Sequence, residues 1–124
     1  MKAIMLYVGS IVIILWGIAH IVIPTKGIVQ SFGPISIDNK RMLIMEWIME
    51  GLALLFIGVL VILVTLLTGV ENSVSALVYR SSGVMLAVMA GVSLFTGART
   101  SIIPMKLCPP IFVSVAIAYW LGSM

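Results

Sequence analysis

Four apolar runs, at residues 3–23, 42–67, 75–96 and 109–123, occupy most of this chain and limit what it can fold into. Roughly 20 apolar residues in a helix cross a hydrocarbon core about 30 Å thick. Each of the first three reaches that length, and the fourth approaches it with its flanks. Only 9% of residues are charged and 62% are hydrophobic, too little polar surface to cover a water-exposed body of 124 residues. A bilayer accepts such a surface directly. The expected fold class is therefore all-α: a polytopic integral membrane protein, a compact four-transmembrane-helix bundle forming one domain over residues 1–124.

The first run also has the outline of a signal peptide, with Lys2 ahead of it and Gly17-Ile18-Ala19 imitating a cleavage site. Its apolar stretch is long for a signal and three further runs follow, so a retained span is expected. In the last run Pro109 and Pro110 suit a first helical turn, where a missing N–H has no acceptor to lose. That span is short and crosses with little tilt.

The connections differ in character. Residues 24–40, PTKGIVQSFGPISIDNK, hold two prolines and two glycines and read as a structured turn or half-inserted loop. TGVENS reads as a plain hairpin joint, with Gly69 as helix C-cap and Asn72 or Ser73 as the next N-cap. GARTSIIPMKLCPP again combines basic residues and prolines. Lys26, Lys40, Arg41, Arg99 and Lys106 fall on one side, Lys2 and Arg80 on the other. By the positive-inside rule the first and third connections face the cytoplasm and both termini lie outside, in what is expected to be a prokaryotic cytoplasmic membrane. Tyr7, Tyr119 and Trp120 then serve as interfacial anchors.

Small residues recur every fourth position at Gly83, Ala87 and Gly91, and at Ser114, Ala118 and Gly122. These stripes are expected to be packing seams within the bundle, or less simply a dimer contact. The nine methionines read as flexible apolar filler.

Several function classes are excluded. The net charge of +3 comes from scattered residues with no basic run, so nucleic acid is not an expected partner. The lone cysteine, Cys108, rules out an internal disulfide and an all-cysteine metal cage; its Cys-Pro-Pro context is no redox motif, and it reads as a bystander. There is no glycine-rich phosphate loop, nucleophile elbow or histidine pair for haem, and no catalytic residue is assigned.

What remains is a polar cluster. Of the four acidic residues, Glu46 and Glu50 stand one turn apart at the start of the second run. A four-residue step rotates a helix by about 40°, so they share one face. With the inner boundary near Ile48, Glu46 lies at the interface and Glu50 about half a turn inside. His20, with Trp16 one turn before it, ends the first run on the same side, and Arg99 follows the third. Thus Trp16, His20, Glu46, Trp47, Glu50 and Arg99 are the candidate ligand-binding or proton-exchange residues. Charges near helix ends also snorkel, or pair merely to hold helices together. Glu50 argues against that reading, because an ionisable group inside a membrane is costly and usually faces a partner or polar cavity. His20, Glu46 and Glu50 form a weaker alternative as a divalent metal site, without an HExxH or ExxH pattern.

GIAHIVIPTK followed by SFGPISIDNKRMLIMEWIMEGLALLFIG, residues 17–58, resembles the largely uncharacterised small four-helix membrane proteins grouped with the DoxX-like superfamily. The resemblance implies a compact bundle and, for some relatives, a place beside quinone-linked or thiol-protecting oxidoreductases. It carries no catalytic motif, and marks His20, Asn39, Glu46, Trp47 and Glu50 as a signature without roles. The leading expectation is a bundle that binds a small lipophilic ligand, a quinone or lipid, at Trp16, His20, Trp47 and Glu50. The alternative is a non-catalytic accessory or scaffold subunit with a membrane-protein partner or a second copy. An oligomeric transporter or channel is a third, poorer reading, since no inverted repeat is present.

Overall fold

The computed structural model describes residues 1–22 and 24–124, the side chains of 24–26 excepted. Ile23, the expected end of the first span, and the Lys26 side chain used in the charge count lie outside the described residues. Helix α1 is Lys2–Val22, α2 Pro24–Ser31, α3 Ile37–Thr68, α4 Ser73–Phe95 and α5 Ile103–Gly122, with a single 3-10 turn at Gly97–Arg99. There is no strand among the described residues. All the long helices are long and apolar enough to cross a membrane, and the chain is an integral membrane protein with an all-α four-helix bundle.

Local signals account for most of the helix ends. The Gly69 backbone adopts φ 80° after α3 and its N–H donates to the Thr65 carbonyl, while the Asn72 side chain accepts from the Val74 N–H at the head of α4. Both caps fall where the sequence puts them. Residues 24–40 differ from the expected loop: Pro24 opens the short helix α2, Gly33 with φ 71° reverses the chain, and the Ser36 side chain then caps α3 by accepting from the Asn39 N–H.

Helix α5 departs further from expectation. It begins at Ile103, with Pro104 in its first turn, so Pro109 and Pro110 are interior. Neither ring carries an N–H, and the Met105 and Lys106 carbonyls four residues earlier lose their helical donors. The earlier start gives α5 its full 20 residues, and the last span is not the short one the prolines suggest.

The four long helices form a ring in which each touches two neighbours: α1 packs on α3 and α5, and α4 on α5 and α3. The α1–α3 seam is the most extensive and the α3–α4 seam the sparsest. A buried stripe of α1, Leu6, Gly9, Ser10, Ile13, Gly17 and His20, faces inward, while Ile4, Val8, Ile11, Leu15, Ile18 and Val22 form the opposite, exposed stripe. The exposed stripe is purely aliphatic, as a face in contact with lipid should be, and the small and polar groups are turned inside.

Buried hydroxyls satisfy one another across the bundle. Ser10 and Tyr119 share a 3.0 Å hydrogen bond between α1 and α5, and Thr65 and Tyr79 a 2.8 Å bond between α3 and α4. Without water in the hydrocarbon, each such group needs a protein partner. Tyr119 is accordingly fully buried, not an interfacial anchor; Trp120 beside it is exposed.

The closest backbone approach is made by small residues spaced seven apart. A Cβ on Gly51 would lie 2.8 Å from the Gly17 carbonyl oxygen, and one on Gly58 would lie 2.9 Å from that of Ser10. Ser10 and Gly17 on α1 thus meet Gly58 and Gly51 on antiparallel α3, with the seven-residue step of a coiled-coil seam. The four-residue stripes predicted as seams hold only in part. A Cβ on Gly83 would lie 3.3 Å from the Ala116 carbonyl oxygen and one on Gly122 would press on Leu6, but Gly91 faces open space and Ala87 and Ser114 are exposed. The Ser114 hydroxyl donates to the Pro110 carbonyl of its own helix.

Candidate functional site

The inward stripe of α1 ends in its one histidine. His20 is 3% exposed, and its ring Nδ1 lies 2.9 Å from the Trp16 carbonyl oxygen one turn back. A carbonyl only accepts, so Nδ1 carries a proton, and Nε2 is left either to donate to an acceptor when the ring is protonated or to offer a lone pair when it is neutral. Nε2 points away from α1 into the bundle. Nε2 lies 3.7 Å from Glu50 Oε1 on α3 and 3.6 Å from Cys108 Sγ on α5. The carboxylate and thiol flank the ring nitrogen, and the three donor atoms are all within 4.8 Å of one another.

Aromatic rings hold the imidazole. Trp16 meets it edge-on, with centroids 5.3 Å apart, and Trp47 lies against it at 4.7 Å with a 46° tilt. The glycine contact beneath completes the support: a Cβ on Gly51 would come within 3.2 Å of His20 Cβ, so only glycine there lets α1 sit deep enough for His20 to reach Glu50.

Two cavities meet at this cluster. The larger, about 550 Å³, opens along the sparse α3–α4 seam; Glu46, Trp47 and Glu50 line it from α3, Met85 and Val92 among others from α4, and Cys108 from α5. The smaller, about 160 Å³, is bounded by Trp16, His20, Trp47 and Leu107, with Ile28 from α2 and Pro104. Trp47 belongs to both. Among the described residues, the buried Trp16 indole N–H at the wall of the smaller cavity has no hydrogen-bond partner. An unmet donor costs about 1–3 kcal/mol, and an acceptor group entering that cavity recovers it.

Of the candidates read from sequence, Trp16, His20, Trp47 and Glu50 come together. Glu46 lines the same cleft as Glu50, as the shared helix face requires, but it is exposed and outside the donor cluster. Arg99 does not join them: it is exposed on the 3-10 turn with its guanidinium 5.6 Å from the Phe95 ring centroid, and no ion pair joins it to either carboxylate among the described residues. Asn39 is exposed at the start of α3.

No family model matches the chain, and neither does a curated protein or a solved structure.

The residue that sequence reasoning missed is Cys108. Read as a bystander ahead of a short helix, it instead occupies the first turns of α5, buried, with its thiol donating to the Pro104 carbonyl at 3.6 Å or facing His20. The signal lay in Pro104: a proline four residues earlier marks a helix start that carries Cys108 onto the inward face, where Phe112, Val115 and Tyr119 continue the buried stripe.

Proposed function

We propose that this protein binds one small lipophilic molecule with a polar head, a quinone or a lipid, in the cleft between α3 and α4. The observation that carries the reading is the cleft itself. Its volume of about 550 Å³ falls in the range of small-molecule sites, roughly 300–1,000 Å³. Its walls are mostly apolar, and its few polar groups are gathered toward Glu46, Glu50 and Cys108. The opening lies at the weakest helix seam, so the ligand enters sideways from the bilayer, tail along Met85 and Val88 and head toward Glu50 and Trp47.

A short-chain benzoquinone, which quenches indole fluorescence on contact, tests it. Saturable quenching is expected in the detergent-purified protein and should largely disappear in Trp47→Phe. Quenching that stays linear in quinone, together with native mass spectra free of any bound small molecule, points instead to an accessory subunit whose polar groups serve only one another.

We further propose that both termini lie outside the cytoplasm. Lys2 pairs with Glu71 at 3.1 Å and the Arg80 side chain donates to Ser123, so both basic residues of the sparser side are held at the terminal end of the bundle. Met124→Cys is expected to react with a membrane-impermeant maleimide on intact cells. Protection until the membrane is opened reverses the orientation.

A further inference from the structure

We infer that His20, Glu50 and Cys108 form a binding site for one divalent transition-metal ion, with zinc the ion whose chemistry fits best. This goes beyond the lipophilic-ligand reading and does not depend on it. Three different helices deliver an imidazole nitrogen, a carboxylate oxygen and a sulfur to one place, a mixed donor set that borderline ions such as Zn²⁺ accept and that Mg²⁺ and Ca²⁺ do not.

The distances support it. For tetrahedral zinc with bonds of about 2.0–2.1 Å to nitrogen and oxygen and about 2.3 Å to sulfur, the N···S edge is about 3.5 Å and the N···O edge about 3.3 Å. The observed separations are 3.6 Å for His20 Nε2 to Cys108 Sγ and 3.7 Å for Nε2 to Glu50 Oε1. The first edge is already in place; a side-chain movement of Glu50 closes the second and has also to draw its oxygen, now within 4.8 Å of Cys108 Sγ, to the third. The histidine is also prepared in the way of metal-bound histidines, with its other ring nitrogen donating to a backbone carbonyl and its tautomer thereby fixed.

Charge favours the same conclusion. A thiolate and a carboxylate together offset the two positive charges of the ion, so the loaded site is neutral and suits a place buried against apolar helices. Starting from neutral His20, thiol and carboxylate, binding of M²⁺ forms three bonds and releases one proton, from the Cys108 sulfur. Three protein ligands leave a fourth position, which is characteristic of open rather than structural zinc sites. Glu50 and Cys108 both line the larger cleft, and the fourth position opens toward it. The weaker metal alternative read from sequence, His20 with Glu46 and Glu50, differs by one ligand: it is Cys108, not Glu46, that lies beside His20 and Glu50.

The single cysteine makes the test direct, because any thiolate-to-metal signal must come from Cys108. The full chain, carried on a histidine-free tag and reduced with a phosphine, is titrated with Co²⁺. The expected result is one equivalent bound, with a near-ultraviolet thiolate-to-cobalt band and visible bands of four-coordinate intensity, all displaced by Zn²⁺. Cys108→Ser should abolish the near-ultraviolet band, His20→Gln should raise the half-saturating Co²⁺ concentration by about tenfold or more, and Glu46→Gln should change neither. The wild-type spectrum stands even if a variant folds poorly. No thiolate band in the wild-type protein at saturating Co²⁺, or His20→Gln binding as tightly as wild type, overturns the site.

Discussion

Gly51→Leu is expected to abolish the folded bundle, and Gly51→Ala to lower its melting temperature in detergent by several degrees or more. The reason is contact on three sides: a Cβ there would stand 2.6 Å from Ile21 Cγ1, 2.8 Å from the Gly17 carbonyl oxygen and 3.2 Å from His20 Cβ. A backbone carbonyl cannot rotate away, so α1 must move. Overpacking of this kind costs about 1–3 kcal/mol when the core yields, and here the displacement also withdraws His20 from Glu50. Gly51→Ala should therefore lose Co²⁺ and quinone binding even where it still folds. Gly91→Leu is the control, with open space at its Cβ; it should leave the melting temperature unchanged. If Gly51→Ala melts with the wild type, α1 and α3 do not touch as described.

The second large effect separates two carboxylates one turn apart. Glu50→Gln is expected to weaken the bundle and its binding strongly, while Glu46→Gln does little. Glu50 is half-buried and faces His20, whereas Glu46 is exposed and has no ion-pair partner among the described residues. Removing one member of a buried pair typically costs about 3–5 kcal/mol, and an exposed one about 0–1; with Glu50 still one-third open to the cleft, the lower part of the first range applies. Combining Glu50→Gln with His20→Gln should be less than additive in chemical or thermal denaturation. Equal and small effects from the two single changes would reduce this cluster to helix-end dressing.

The sequence made the bundle legible because length and hydropathy alone define a membrane span, and because Gly69 and Asn72 are local devices whose meaning does not depend on the rest of the chain. The site was half legible. His20 and Glu50 stood out, since a charge-bearing group amid apolar residues has few reasons to be there. Arg99 was assigned by depth alone, and depth says nothing about azimuth: the 3-10 turn swings its side chain to Phe95. Cys108 was lost through a rule applied at the wrong residue. Three prolines crowd the start of α5 and any of them could open it; choosing Pro109 left Cys108 outside the helix. The seam was missed for a different reason. Ser10, Gly17, Gly51 and Gly58 repeat every seven residues on two separate helices, and only the antiparallel pairing of the two aligns them.

The 32 residues of α3 measure about 48 Å at 1.5 Å per residue, against a hydrocarbon core of about 30 Å. Measured from the end shared by Lys2 and Thr68, His20 and Glu50 are each 18 residues along, about 27 Å in. The cluster therefore sits at the far rim of the oily layer, and the first three turns of α3 rise beyond it. Membrane thickness thus becomes a variable of the site. In a thin bilayer, water reaches Glu50 and Cys108 and an ion there exchanges freely with solution; in a thick one the same three side chains are sealed in hydrocarbon, and both the ion and its neutralising charges stay put. Reconstituted in lipids of graded acyl length, one unchanged sequence should release its metal at graded rates.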